Sequence, residues 1–387
     1  MRTLLAAERS RRLLLLRAVM DLAGAAARPA RDLLARAQAA DPGAVERCLR
    51  WPAVGGWLAM ALTRPGHLGR LDAVAAAAAV RAGVPFELTL PTQDGGVTLP
   101  SVGRLRADGP EATITGVTGG VAGGRDVWER PRRLRAFAAG LDLGLWIDDL
   151  DPYRYPGEAA GRLGDAEVRR WGRALAAAWR LLARDHPHQA AELATLLTTI
   201  VPLRAPARGG RVSATVGSSF GAVAMSRPGD PEALAALLVH ECQHAKLCAL
   251  LGLTEVHTDD GGERHFSPWR ADPRPLDGLL QGAYAYLGEA RFWNTRRALT
   301  GAFHAHVAFA RRRGELAETL DRLATRRELN PLGRYLVGTM RDRVAAWLRE
   351  PVPGAAVAEA AELRAAHRGS VLQRRRLEVE VEPADRR

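Results

Sequence analysis

The chain has 387 residues, 47% hydrophobic and 25% charged, a composition that excludes disorder and fibrous repeats and allows a sizeable buried core. Aromatic residues make up only 5% while alanine is abundant, which favours helix over strand. The formal charge of +12 and pI of about 10.8 would suit a nucleic-acid binder, but Lys246 is the only lysine and the arginines are scattered. Their short clusters at 9–12, 311–313 and 374–376 do not form the stripe that nucleic acid requires, and the bias is as well explained by codon usage; an acidic peptide segment remains a candidate partner.

Three cysteines, Cys48, Cys242 and Cys248, cannot all pair, and a reducing, cytoplasmic setting is expected. The apolar run Leu13 to Leu16 is followed at once by Arg17 and Asp21 and carries no cleavage pattern, so neither a secretion signal nor a membrane span is expected.

In chain order, residues 1–40, 44–62 and 71–82 read as helices broken by Pro29, Pro42 and Gly43. Between 84 and 126 the pattern changes to β-branched runs separated by glycine-rich turns, which predicts two to four strands. The pairs Gly119, Gly120 and Gly123, Gly124 lack the lysine and the helix of a phosphate loop and are expected to form a turn. Leu141 to Ile147 alternates like a strand and ends in Asp148, Asp149 and Asp151. These aspartates could bind a hard cation or form a solvated turn beside an edge strand. An amphipathic helix or helix pair is expected from Asp165 to about Ile200, with His186 and His188 on the surface near Pro187.

Pro202 to Gly210 is the expected boundary, giving regions 1–205, 206–350 and 351–387. Two short runs, 212–216 and 222–226, flank the turn Gly217 to Gly221 and predict a hairpin, with Ser218 and Ser219 as turn residues. The chain then enters residues 230–252, where Asp230 is an N-cap, Pro231 suits the first helical position and Gly252 is a stop. Leu234, Leu237, Leu238, Leu247, Cys248 and Leu251 predict one apolar stripe, on which His240, Glu241 and His244 also fall. Histidines four apart on one helical face can aim two imidazoles at a common divalent ion, with Glu241 able to reach a metal-bound water. The competing reading is a helix with two chance histidines, but burial without a partner would leave polar groups unsatisfied.

Further on, Pro273 and Pro275 hold Arg274 in an extended conformation, and a second helix is expected over about Leu276 to Leu299. Gln281, Tyr284, Ala285, Gly288 and Phe292 share one of its faces, and Gly282 and Gly288 permit close approach. The stretch to Arg368 reads as helix, and Leu377 to Glu382 as a terminal strand or loose tail. The fold expected is mainly α with a small β component, an α+β protein. A helical N-terminal region precedes a metal module built on two helices and a short hairpin.

The combination of Leu238 to Leu247, Ser267-Pro-Trp-Arg-Ala-Asp-Pro-Arg-Pro-Leu and Gly282-Ala-Tyr-Ala-Tyr resembles the H-E-x-x-H peptide-modification proteins, understood as iron and 2-oxoglutarate-dependent peptide β-hydroxylases. The resemblance covers about residues 210–300, and the Asp148-Asp-Leu-Asp-Pro-Tyr-Arg turn also looks like that family. It implies an iron(II) site at His240 and His244, with Glu241 as third ligand or base. It further implies dioxygen and a precursor peptide as substrates, and Arg274, with Arg270 in reserve, on the distal carboxylate of 2-oxoglutarate. Tyr284 would add a hydroxyl. Where the family often has a histidine this chain has Gln281, so Gln281 or Glu289 takes the remaining metal position, or the member is a catalytically impaired peptide binder. The two sit about 12 Å apart along an ideal helix. The rival enzyme reading is a zinc metallopeptidase with Glu289 as third ligand.

Overall fold

A computed structural model describes residues 1–122, 128–206 and 212–381, with side chains to 373. Gly123, Gly124 and residues 207–210 of the expected linker lie outside the described residues. The fold is mainly α with a small β component, as expected. By contact density the chain forms two compact units, residues 1–184 with 190–234, and residues 185–189 with 235–387.

The first unit opens with helices α1 (Arg2–Ala23), α2 (Arg28–Ala40), α3 (Pro42–Leu49), α4 (Pro52–Thr63) and α5 (Arg70–Ala82). Pro29, Pro42 and Pro52 occupy first turns, where a missing N–H costs nothing. Ala73 to Ala79 of α5 are all buried, and their small side chains let α2 and α3 close on that helix. Gly83 ends α5 in the left-handed region at φ 68°, open to glycine without a Cβ clash.

The strands follow as β1 (Phe86–Pro91), β2 (Gly96–Leu99), β3 (Gly103–Arg106), β4 (Glu111–Val117), β5 (Gly120–Val121), β6 (Trp128–Glu129), β7 (Arg132–Ala138), β8 (Leu141–Ile147), β9 (Thr199–Pro202), β10 (Ser213–Ala214) and β11 (Ala222–Met225). They make two three-stranded sheets, β1-β4-β5 and β2-β3-β6, and one of five strands ordered β10-β11-β9-β8-β7. β10 and β11 pair antiparallel as the expected hairpin, while β9 runs parallel to both its neighbours, β8 and β11. Helices α6 (Asp165–Asp185) and α7 (Pro187–Leu196) fill the crossover from β8 to β9, the connection a parallel pair requires.

The acidic turn after β8 is neither solvated nor at a sheet edge. Asp148, Asp149 and Asp151 are buried, and β8 is an interior strand. Arginines from distant segments explain this. Asp149 accepts from Arg132 and Arg162, both at 2.5 Å, and from the Leu163 amide at 2.9 Å. Asp151 accepts from Arg70 at 2.5 Å. Asp148 has Trp51 Nε1 at 3.0 Å and the Asp151 amide at 3.0 Å instead of a cation. Burial and the Asp151 charge push its carboxyl up to about 7.

The second unit is built on α8 (Pro231–Leu251), α9 (Leu276–Thr300), α10 (Phe303–Ala324), α11 (Pro331–Leu348) and α12 (Gly354–Val381), with α10 packed against α9, α11 and α12. Asn330 caps α11 by accepting from the Gly333 amide at 2.9 Å, and Gly301 closes α9 at φ 63°. α12 runs as helix through Val381, where a strand or loose tail was expected. His186, expected on the surface, is buried and stacked on Phe292 with ring centroids 4.5 Å apart, whereas His188 is exposed. Burial drives the His186 imidazole down to about 4, so it is neutral. Among the described residues α8 alone is long and apolar enough to cross a membrane, and 61% of that span is buried inside the protein, as in a core helix.

Candidate metal centre

Helix α8 starts as its sequence dictates, with Asp230 Oδ2 accepting from the Ala233 amide at 2.8 Å and Pro231 in the first turn. Its burial is wider than one stripe. Ala235, Ala236, Leu238, Val239, Cys242, Ala245 and Leu247 are buried around its circumference, so the buried helix expected from the sequence is a core helix, covered on more than the stripe that marked it. Glu241, only 2% exposed, lies within this core, and its charge acts to raise the His244 pKa.

His240 and His244 sit one turn apart with ring centroids at 4.9 Å, meeting edge to face at 72°. α9 brings a polar partner to each ring. Glu289 Oε2 is 3.2 Å from His240 Nδ1, and Gln281 Oε1 is 3.3 Å from His244 Nδ1. The earlier histidine meets the later α9 residue, so the two helices run antiparallel at this contact. Gln281 and Glu289 therefore serve different rings, as their separation along the helix requires. Gln281 also donates to Cys248 Sγ at 3.5 Å, which orients its amide.

Charge is set by what surrounds these groups. Burial acts to raise the Glu289 pKa, but Arg312, whose Nε donates to Oε1 at 3.0 Å, and His240 bring it down to about 2. Trp293 Nε1 adds a second donor to Oε1 at 3.2 Å, leaving Oε2 to His240. Burial, and then the neighbouring His240, push His244 down to about 4. An ionised carboxylate and a neutral imidazole are the forms that ligate metals.

Aromatic packing holds the cluster. Tyr286 lies edge to face on His240 at 4.5 Å and against Trp269 at 4.7 Å, and Arg312 covers the same tyrosine at 4.2 Å. Gly282 fits under the Trp269 indole, which an added methyl would strike, and Gly288 gives the same close approach to Gln243 of α8.

The expected cosubstrate arginines are arranged less simply. Arg274 is fixed by backbone bonds with His265 of 2.7 and 2.8 Å, and its charge is among those that depress His244. Its Nη1 donates to Asp272 at 2.9 Å, and Arg270 Nε donates to the same carboxylate at 3.2 Å. Asp277 lies 4.0 Å from His257 rather than on Arg274. Tyr284 is half-buried against the core of the unit, and Tyr286 is the tyrosine on the His240 ring. Arg312, Tyr286 and Trp293 did not emerge from the sequence. For the two aromatics the spacing 282, 286, 289, 293, one face of α9, was the available signal.

Among the described residues, no three His, Cys, Asp or Glu side chains converge as a ready-made cation site. A metal between His240, His244 and Glu289 would have to replace the His240–Glu289 hydrogen bond. The donor chemistry fits such an ion: two imidazoles and one carboxylate, with one carboxamide to orient a ring. No protein-family model and no curated protein matches the chain.

Proposed function

We propose that the chain is an iron(II) and 2-oxoglutarate-dependent hydroxylase acting at a side-chain β-carbon of a ribosomally made precursor peptide in the cytoplasm. One observation carries this reading: two imidazoles on α8 and an ionised carboxylate on α9 meet across a single helix contact, at 3.2 Å for His240 and Glu289. Two histidines with one carboxylate are the donor set of non-haem iron oxygenases. Iron(II) and 2-oxoglutarate, when bound, supply the oxidation of an unactivated C–H bond by dioxygen.

The protein's own residues do the rest. His240, His244 and Glu289 hold the ion, Gln281 fixes the His244 ring, and Arg312 with Trp293 keeps Glu289 ionised and aimed. Arg274, now on Asp272, would hold the distal carboxylate of 2-oxoglutarate, because a guanidinium fork matches either carboxylate. Glu241 stands as the buried base beside the ligands, and Tyr286 with Trp269 excludes water. The helical N-terminal unit recognises the precursor.

Co-expression with a neighbouring small open reading frame, followed by peptide mass spectrometry, tests the reading. A gain of one oxygen on one residue is expected; an unmodified peptide refutes it. A cleaved peptide with bound zinc, abolished by Glu241→Gln, would replace it with a metallopeptidase. A second reading, a peptide-binding protein without metal, draws on the lack of a converged three-residue cation site among the described residues. Full peptide affinity in protein that takes up neither iron nor zinc would favour it.

A further inference from the structure

Arg12 of α1 is only 4% exposed, yet among the described residues no carboxylate forms an ion pair with it. Glu8, the nearest acidic charge along the helix, pairs with Arg11 at 3.4 Å. The Arg12 guanidinium donates to two carbonyls, those of Leu49 and Phe220, both at 2.7 Å, and its Nε has no acceptor. Carbonyl dipoles satisfy donors but do not neutralise a charge, and a buried cation without an anion is costly. Burial lowers its pKa to about 10; the Glu8 carboxylate, which lines one of the cavities below, acts to raise it, and Arg50 and Arg11 add to the lowering.

Two cavities of about 210 and 220 Å³ adjoin this residue, and both are lined by Arg9, Arg12, Glu46 and Arg50. Leu5 and Phe220 supply apolar wall to one, and Leu13, Val45 and Leu49 to the other. Arg50 is exposed and has no ion pair among the described residues, while Arg9 and Glu46 form a solvent-exposed pair at 3.4 Å that contributes little. Leu13 and Leu14 stand 48% and 68% exposed on the same helix. The surface thus combines a buried cation with no carboxylate in ion-pair contact, an exposed cation without an ion pair among the described residues, and exposed leucines.

We propose that these cavities form one groove on α1 and α3 that binds a peptide segment carrying both acidic and large apolar side chains. A carboxylate sits between Arg12 and Arg50, and leucine-like side chains cover Leu13, Val45 and Leu49. The charge complement chooses an acidic partner, and the leucines choose a peptide over a small anion. This rests on the reading above that the chain acts on a peptide, and assigns the segment of that peptide which is held rather than modified.

Fluorescence anisotropy on the full chain, without iron or 2-oxoglutarate, tests it. The probes are a fluorescein-labelled peptide of glutamate and leucine and its glutamine and leucine counterpart. Saturable binding of the acidic peptide is expected, weakened about tenfold by Arg50→Glu, by Arg12→Met in folded protein, and by raising salt. Equal binding of the two peptides, no saturable binding, or no effect of Arg50→Glu overturns the proposal. Arg50 is exposed, so its reversal leaves the fold intact even if Arg12→Met does not. A failed peptide titration leaves any iron signal untouched, and a missing iron signal leaves the groove standing, so the two readings fail separately.

Discussion

The two units bury polar side chains in opposite ways. In the first, Asp149 receives two guanidinium donors and one amide, and Asp151 one guanidinium and the Tyr153 amide. In the second, two imidazoles share a face, each engaged at Nδ1 by one α9 side chain, and the one carboxylate is held by an arginine on its far oxygen. The first arrangement uses all its acceptors within the protein and gains only structure from them. The second keeps the neutral His244 ring, the His240 ring and an ionised Glu289 close together, a donor set that suits a cation in the proposed reading. Burial alone therefore does not separate the two clusters; what each buried group is paired with does.

The comparison breaks first at the histidines. His240→Ala or His244→Ala should abolish stoichiometric iron binding and lower hydroxylation by more than about 100-fold, the upper end for loss of an outer group. Melting temperature should change little. A large loss of stability with retained iron would move these residues to the structural class. The opposite is expected of Asp149→Ala, which strands Arg132 and Arg162 and should cost about 3–5 kcal/mol in a denaturant melt. An unchanged midpoint would show that the acidic turn does not hold the first unit together.

His186 sharpens the contrast within the second unit. Its folded pKa of about 4 lies below the ordinary 6.5, so its contribution is fully present above pH 6.5 and is lost as pH falls from there through 4. The loss should reach about 3 kcal/mol, and His186→Gln should flatten that part of the stability profile. A profile of the same slope in the variant would assign the pH dependence elsewhere. The smallest effect is expected at Arg274: its alanine variant should raise the KM for 2-oxoglutarate about tenfold, or about 1.4 kcal/mol, while iron content stays constant. An unchanged KM would leave Arg274 as the partner of Asp272 alone.

What the sequence revealed follows from how local each signal is. The N-cap at Asp230, the proline at 231 and the 222–226 hairpin strand depend on neighbours a few residues away, and all appear as expected. The approach of α8 and α9 was legible through Gly288, and the separate reach of Gln281 and Glu289 through helical rise. The acidic turn was misjudged because Arg70, Arg132 and Arg162 come from α5, β7 and the loop before α6, separations that no local pattern encodes. Arg312 stayed hidden for the same reason. It lies 23 residues beyond Glu289, in an arginine cluster with nothing local to mark one member. His186 shows the limit of a polar residue near a proline: the Phe292 ring it stacks on is 106 residues further along the chain, on α9.

The central claim is that His240, His244 and Glu289 hold iron with positions left for 2-oxoglutarate. Anaerobic titration of the protein with iron(II) and 2-oxoglutarate, followed by visible absorption, tests it most directly. A weak charge-transfer band that saturates at one equivalent of iron and disappears in His240→Ala and Glu289→Ala is the predicted result. Iron bound without any band, or a band indifferent to these substitutions, would contradict it.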